Sequence, residues 1–366
     1  MTQLKRTPLH DRHLALGAKL TPFAGFEMPL QYDGIMAEHK AVRTAAGLFD
    51  ISHMGEFAVS GAGAESFLQS LAVNDVAALQ VGQAQYSAIC RPDGGLLDDL
   101  LIYRRENGYM LVVNAANIAG DFDWLRAHAG ADVTLQDISD STALIAVQGP
   151  HSRKVLEAAF GEQLAGLEFY HFSETSAGGA PAIISRTGYT GELGFEIYTS
   201  PDAAPDVWDD LLRAGTEFGI RPAGLGARDT LRLEMKYCLY GNDISVDTNP
   251  IEAGLGWITK LDKGPFIGSQ AIAAVKAAGP DRRLVCLVLE ERAVPRPGYP
   301  ILAAGEPVGT VTSGTQSLTL KQGIALGYVA RGFTKTGTEL AVEIRGRRAA
   351  ARVVKPPFVS GTSLMD

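Results

Sequence analysis

The sequence predicts an α+β protein that ends in a small β-barrel or sandwich, and three observations carry that reading. Up to about residue 278, strand-like runs of branched apolar residues alternate with apolar stripes of helical spacing. The alternation starts afresh near Ala143, as if a second α+β unit followed the first. From Arg282 onward only short strands follow, parted by Gly and Pro turns with no helical pattern between them. The 366 residues suffice for two or three domains and a large core.

Taken in order, residues 7–44 open with loops around Pro8, Pro22, Gly25 and Pro29, then a helix that Asp33 can cap. Gly47 is its expected stop, because glycine tolerates left-handed backbone. Residues 48–56 lead into a strand at 57–59, and Phe67, Leu68 and Leu71 have helical spacing. Gly61-Ala62-Gly63 imitates a dinucleotide fingerprint, but Ser66 replaces its third glycine, so no nicotinamide site is expected. Gly94-Gly95 turns into a strand at 96–104, and 109–114 can pair with it across Asn107-Gly108. In the second unit, a strand at 143–148 is broken by Gly149-Pro150. A helix with Val155, Leu156, Ala159 and Phe160 on one stripe follows and ends at Gly161. Strands at 182–186 and 195–199 precede a helix with Val207, Trp208, Leu211 and Leu212 on one face. Residues 276–283, with Gly279-Pro280, read as a linker to strands at 284–290, 308–312, 324–329, 339–345 and 352–354.

Composition excludes several classes. A formal charge of −8 argues against a dedicated nucleic-acid binder. Cys90, Cys238 and Cys286 are far apart and form no Cys-x-x-Cys, which fits free thiols in a reducing compartment, not a disulfide framework or zinc site. The polar start has no secretory signal and no apolar run is long enough to cross a bilayer, so a cytoplasmic protein without membrane partners is expected.

Six stretches carry residues to be weighed for chemistry. On the 96–104 strand, Asp98 and Asp99 must point to opposite faces, both otherwise apolar. Whichever points inward is a candidate functional carboxylate; backbone capping at the strand's start is the plainer alternative. Gly188-Tyr189-Thr190-Gly191-Glu192-Leu193-Gly194-Phe195-Glu196 sets glycines around an aromatic and two acids. Its glycines would let a flat ligand approach, and a carboxylate such as Glu196 can accept two parallel N–H donors; a plain hairpin with surface acids fits equally. Arg228, at the start of a helix after Arg221-Pro222-Ala223-Gly224, can fork onto a ligand carboxylate or make a structural ion pair. His10-x-x-His13 fits a solvated helical turn better than a metal fragment, and loop His53 fits orientation or capping. Arg345, Arg347, Arg348, Arg352 and Lys355 read as a solvated edge strand or a docking patch for an acidic partner.

The ordered set of motifs resembles the T-protein family of the glycine cleavage system. It includes Phe23-Ala24-Gly25-Phe26-Glu27-Met28-Pro29-Leu30, Phe49-Asp50-Ile51-Ser52-His53-Met54-Gly55-Glu56, Gly94-Gly95-Leu96-Leu97-Asp98-Asp99, Arg186-Thr187-Gly188-Tyr189-Thr190-Gly191-Glu192, Ala223-Gly224-Leu225-Gly226-Ala227-Arg228-Asp229 and Leu239-Tyr240-Gly241-Asn242-Asp243. The resemblance covers essentially the whole chain. It implies three domains in a cloverleaf around a central folate site: 1–50 with 140–278, an inserted 51–139, and a barrel at 279–366. It implies an aminomethyltransferase that takes the carbon from the lipoyl arm of H-protein to tetrahydrofolate, giving methylenetetrahydrofolate and ammonia, with no metal, nicotinamide or pyridoxal phosphate. By motif position the essential carboxylate is Asp99, Glu196 contacts the pterin, and Met54, Tyr86, Tyr103, Asn114, Tyr189 and Arg228 belong to the same site. H-proteins are typically acidic, so Arg292 and Arg296, in the Pro-rich loop opening the barrel, are the expected docking residues. Related folate-dependent demethylases and a non-catalytic folate-binding scaffold are the alternatives; Asp99 in a fully matched motif counts against the scaffold. Some relatives carry an arginine near the C-terminus where this chain ends Ser363-Leu364-Met365-Asp366.

Overall fold

The computed structural model describes residues 3–161 and 166–366; Met1 and Thr2, at the head of the polar N-terminal stretch, lie outside the described residues. Its first sheet has six strands in the spatial order Phe172–Ala177, Ala180–Ser185, Gly194–Thr199, Ala143–Gln148, Ala46–Asp50 and Ile220–Pro222. All pairs are antiparallel except the last. Side chains alternate across the strands. Ile145, Val147, Phe195 and Ile197 lie under the helices Ser152–Phe160 and Ala204–Gly215, whose Trp208 is fully buried. Phe49, Leu144, Ala146 and Tyr198 face the other way. Gly161 ends the first of these helices with φ 68°, a left-handed cap.

A second sheet runs Ala84–Cys90, Leu96–Arg105, Gly108–Val113, Gly55–Ser60 and Thr134–Asp137. Phe57, Leu100, Ile102 and Leu111 lie under the helices Ala64–Leu71 and Ile118–His128. Its opposite face, with Tyr103, Met110 and Val112, shares one core with the open face of the first sheet. The third body is a closed six-stranded barrel made of Arg282–Leu289, Pro300–Ala303, Glu306–Gln316, Gly323–Ala330, Glu339–Ile344 and Arg347–Val354. One junction core, including Cys90 and Leu96 from the second sheet, Leu233, Cys238 and Leu255 from the segment after the first, and Cys286 and Leu326 from the barrel, joins all three bodies. Among the described residues no helix is long and apolar enough to cross a membrane.

Several local expectations are corrected. The N-terminal loops contain a hairpin of Lys19–Phe23 with Phe26–Gln31. Asp33 does not cap the next helix, Ile35–Thr44: Glu38 reaches back and accepts the N–H groups of Tyr32 and Gly34 at 2.6 and 3.1 Å, while Asp33 pairs with Arg221. Gly47 does not stop that helix. It lies inside the strand Ala46–Asp50, where a Cβ would collide with the buried Val42. The predicted linker is shorter, because the Ala-rich helix Ser269–Ala278 occupies its start. Arg347–Val354 is not an edge strand: it pairs with Glu339–Ile344 on one side and Arg282–Leu289 on the other.

Gly47→Ala should therefore destabilise the fold by about 1–3 kcal/mol, the usual cost of overpacking a core. Urea unfolding should show a lower midpoint with an unchanged slope; an unchanged midpoint would mean that Val42 yields freely.

Candidate active site

Where the two sheets face each other they leave a cavity of about 570 Å³. The strand Leu96–Arg105 brings Asp99 and Leu101 to it, while Leu96 and Asp98 turn to the buried side. The adjacent aspartates are thus parted by the sheet itself. Tyr86, on the neighbouring strand, donates its hydroxyl to Asp99 Oδ2 at 2.8 Å. Asn114, at the end of Gly108–Val113, donates Nδ2 to Asp99 Oδ1 at 2.9 Å and to Asp98 Oδ1 at 2.8 Å. Burial, and then the negative Asp98, raise the Asp99 pKa to about 7, with the Tyr86 and Asn114 donors pulling it down. Burial beside Asp99 pushes the Tyr86 phenol well above its ordinary range, so it remains a donor.

Across the cavity stands Glu196, on Gly194–Thr199. Thr187 Oγ1 donates to its Oε2 at 2.5 Å. Burial raises the Glu196 pKa, opposed by Thr187 and by Arg228. Arg228 makes no ion pair among the described residues; its guanidinium lies 4.5 Å over the ring of Tyr189, whose hydroxyl donates to the Cys238 carbonyl. The neighbouring acid, Asp229, pairs instead with Arg232 at 2.7 Å. Met54 also lines the cavity.

Tyr103, expected among the lining residues, does not line the cavity. It is fully buried behind the wall, its hydroxyl shared with Tyr198 at 2.9 Å and Thr187 at 3.2 Å. It bonds Thr187, the donor to Glu196. The glycines of the 188–196 stretch make room for neighbouring side chains. A Cβ at Gly188 or Gly194 would strike the Gln148 amide, and one at Gly191, where φ is +77°, would strike Met235. They leave room for these protein side chains, and Gly188 also lines the cavity. Arg292 and Arg296 are exposed on the barrel and do not line the cavity.

The histidines are corrected too. His13 is fully buried, not solvated, and bonds Asp50 at 2.8 Å and Tyr32 at 2.9 Å. His53 neither orients nor caps: among the described residues both ring nitrogens lack partners, and the ring packs edge-on against Phe23 and Phe26. Burial lowers its pKa to about 3, so the imidazole is neutral.

Sequence reasoning missed Tyr237, Gln148, Trp257 and Leu364, which also line the cavity. Trp257 is 63% exposed and stacks on Tyr86, the donor to Asp99. Gly254-Leu255-Gly256-Trp257 carries the same signal, glycines beside an aromatic, that singled out Gly188-Tyr189.

Comparison with known proteins gives the same architecture a family. Residues 9–263 match the GCVT N-terminal domain, and 282–360 match the glycine cleavage T-protein C-terminal barrel domain. The chain belongs to the glycine cleavage T-protein family. An aminomethyltransferase of Halothermothrix orenii is 50% identical over 357 residues, covering 97% of this chain and all of the relative. One from Chloroherpeton thalassium is 51% identical over 359 residues, covering 97% of this chain and 99% of the relative. The crystal structure of the glycine cleavage system aminomethyltransferase T from Bartonella henselae superposes with a TM-score of 0.92 at 38% identity, over 98% of this chain and 99% of that one. In this T-protein the C-terminal tail folds back on the first sheet. Ser363 is held by Glu192 at 2.6 Å, Arg186 donates to the Asp366 carbonyl at 2.7 Å, and Leu364 reaches the cavity wall.

Tyr86→Phe removes a donor to the charged form of Asp99, so its pKa should rise above about 7. The acid limb of the kcat/KM profile should move to higher pH; an unmoved limb would separate that limb from Asp99. Because the folded-state pKa of Asp99 lies above its unfolded value, its stabilising contribution is complete in acid and lost as pH rises through neutrality. Asp99→Asn should therefore raise Tm more above neutral pH than in mild acid.

Proposed function

We propose that this cavity transfers the aminomethyl carbon carried by the dihydrolipoyl arm of H-protein to tetrahydrofolate, with Asp99 as the reacting carboxylate. The observation that supports it most is a buried carboxyl on the cavity face, oriented by Tyr86 and Asn114 and facing Glu196 across mostly apolar walls. Tetrahydrofolate is a substrate here. Glu196 accepts one protein donor, from Thr187, which leaves acceptor capacity for the paired N–H groups of a pterin edge. Arg228 and Tyr189 offer a cation and a ring face to the rest of the folate.

In the reaction the carbon leaves sulfur and the amine nitrogen and joins two folate nitrogens. The two folate N–H protons pass to the thiol and to the departing ammonia. Positive charge develops on the carbon as it leaves the first of its bonds, and the Asp99 carboxylate stabilises it without reorganising. A pKa near 7 also lets Asp99 hold a proton in transit at working pH. The segments 1–50 with 140–278, 51–139 and 279–366 would act as three domains around this centre. Buried free thiols at Cys90, Cys238 and Cys286 fit a cytoplasmic enzyme.

Asp99→Asn should lower turnover by about a hundredfold or more while tetrahydrofolate still binds. Glu196→Gln should weaken tetrahydrofolate by about tenfold or more, the loss expected when buried ligand donors lose a partner. Ammonia release from aminomethylated H-protein and titration calorimetry read the two effects. An active Asp99→Asn enzyme, or unchanged affinity in Glu196→Gln, would remove that residue from its role.

H-protein docking at Arg292 and Arg296 draws support from charge. Neither makes an ion pair among the described residues, whereas Arg352 in the competing basic cluster is tied to Glu290. Arg292→Glu with Arg296→Glu should raise KM for H-protein, most at low salt, with tetrahydrofolate affinity unchanged. Normal kinetics at low ionic strength would move docking to residues 345–355.

A further inference from the structure

Behind the cavity wall, two more acids meet without a cation. Asp121 lies in the first turn of Ile118–His128 and is 3% exposed. Beneath it Asp98 is fully buried, and the two carboxyls lie within hydrogen-bonding reach of each other. Two carboxylates have no hydrogen to share, so this contact requires a proton. Its owner follows from the other partners. Asp98 collects N–H donors from the Asn114 backbone at 3.0 Å, Asn114 Nδ2 at 2.8 Å and Asn117 Nδ2 at 2.7 Å. Among the described residues Asp121 Oδ2 has no hydrogen-bond donor. An anion gathers donors; a neutral acid can leave an oxygen bare. The charge therefore rests on Asp98 and the proton on Asp121, whose pKa burial and the negative Asp98 push up to about 10. The other titratable groups facing the pair are Asp99 and Tyr240, whose hydroxyl donates to the Leu96 carbonyl; Arg91, beyond Tyr240, is engaged with Asp93.

We propose that Asp121 is a positioning residue for the reaction: as a proton donor it fixes Asp98, Asp98 fixes Asn114, and Asn114 holds Asp99. Asp121 does not line the cavity, and the Asp98–Asn114 and Asn114–Asp99 links are part-buried hydrogen bonds of 2.8 and 2.9 Å. The inference rests on Asp99 as the reacting carboxylate. It adds that the donor, not the negative charge, is what position 121 must supply.

The test compares Asp121→Asn, whose amide can still donate, with Asp121→Ala and the bulkier Asp121→Leu, which cannot. Expected are a kcat within about twofold of the parent for Asn, a loss of about tenfold for the no-donor variants, and tetrahydrofolate affinity within about threefold in all. The acid limb of the pH profile should stay in place for Asn. It should rise for Ala and Leu, where no donor at position 121 disperses the Asp98 charge beside Asp99. Either no-donor variant suffices if the other does not fold. A folded no-donor variant with parental kcat and pH profile would make Asp121 merely structural and overturn the proposal. So would an Asn variant as impaired as Ala or Leu. Asp99→Asn is measured alongside: turnover retained there would sink the role of Asp99, whereas a dead Asp99→Asn with an impaired Asp121→Asn would sink only the positioning role.

Discussion

Successive side chains leave a strand on opposite sides, and a pair of adjacent aspartates on a central strand turns that rule into a division of labour. Asp98 goes to the helix-covered face and Asp99 to the cavity, with Asn114 reaching both through one amide nitrogen. A single-residue slip of register would exchange them. The register is held by pairing on both sides of Leu96–Arg105 and by the Gly94-Gly95 turn, where a Cβ at Gly95 would strike the Val246 carbonyl. Burial then raises the cost of charge on Asp99, and the fixed anion behind it adds to that cost. The site thus holds a carboxyl in a state that water would not favour.

That arrangement needs the surrounding bodies to stay in place. The sheets share one apolar core around Phe49, Leu144, Met110 and Val112, so the cavity is a gap in otherwise continuous packing. Buried ion pairs join the helices Ile35–Thr44 and Leu225–Glu234 to each other and to Glu192 and Asp243, and hydrogen bonds from the barrel and the tail reach the same acids. Arg43 joins Glu192 and Glu234, Ser317 and Thr319 bond Glu234, and Arg232 joins Asp243. Buried charges in such pairs are weak sources of net stability, but breaking one strands its partner, which favours a single seating of the three bodies.

Sequence disclosed what local rules govern. The alternation around Asp98-Asp99, the helical stripe with Trp208 and the Gly161 cap all follow from periodicity and backbone preference, and the structure shows them. What was hidden is long-range. Gly47 looked like a helix stop because its conflict with Val42 exists only once the strand lies on the helix. Glu38 displaced Asp33 as the cap because it reaches back by one turn. Closure of the barrel removed the expected edge strand at Arg347–Val354. Resemblance places Tyr103 in the lining; it shares the face of Asp99, yet it packs into the core between the sheets and bonds Thr187 and Tyr198. Tyr237, Trp257 and Leu364 arrive from distant segments whose convergence no local pattern announces.

The account turns on the ionisation of one carboxyl. Infrared titration of the protonated-carboxyl band, taken as the difference between the parent protein and Asp99→Asn, isolates that group without reference to turnover. The structure predicts a midpoint of about 7 in the ligand-free protein. A midpoint in the ordinary carboxylate range, about 4, would show that the cavity does not desolvate Asp99 and would contradict the account.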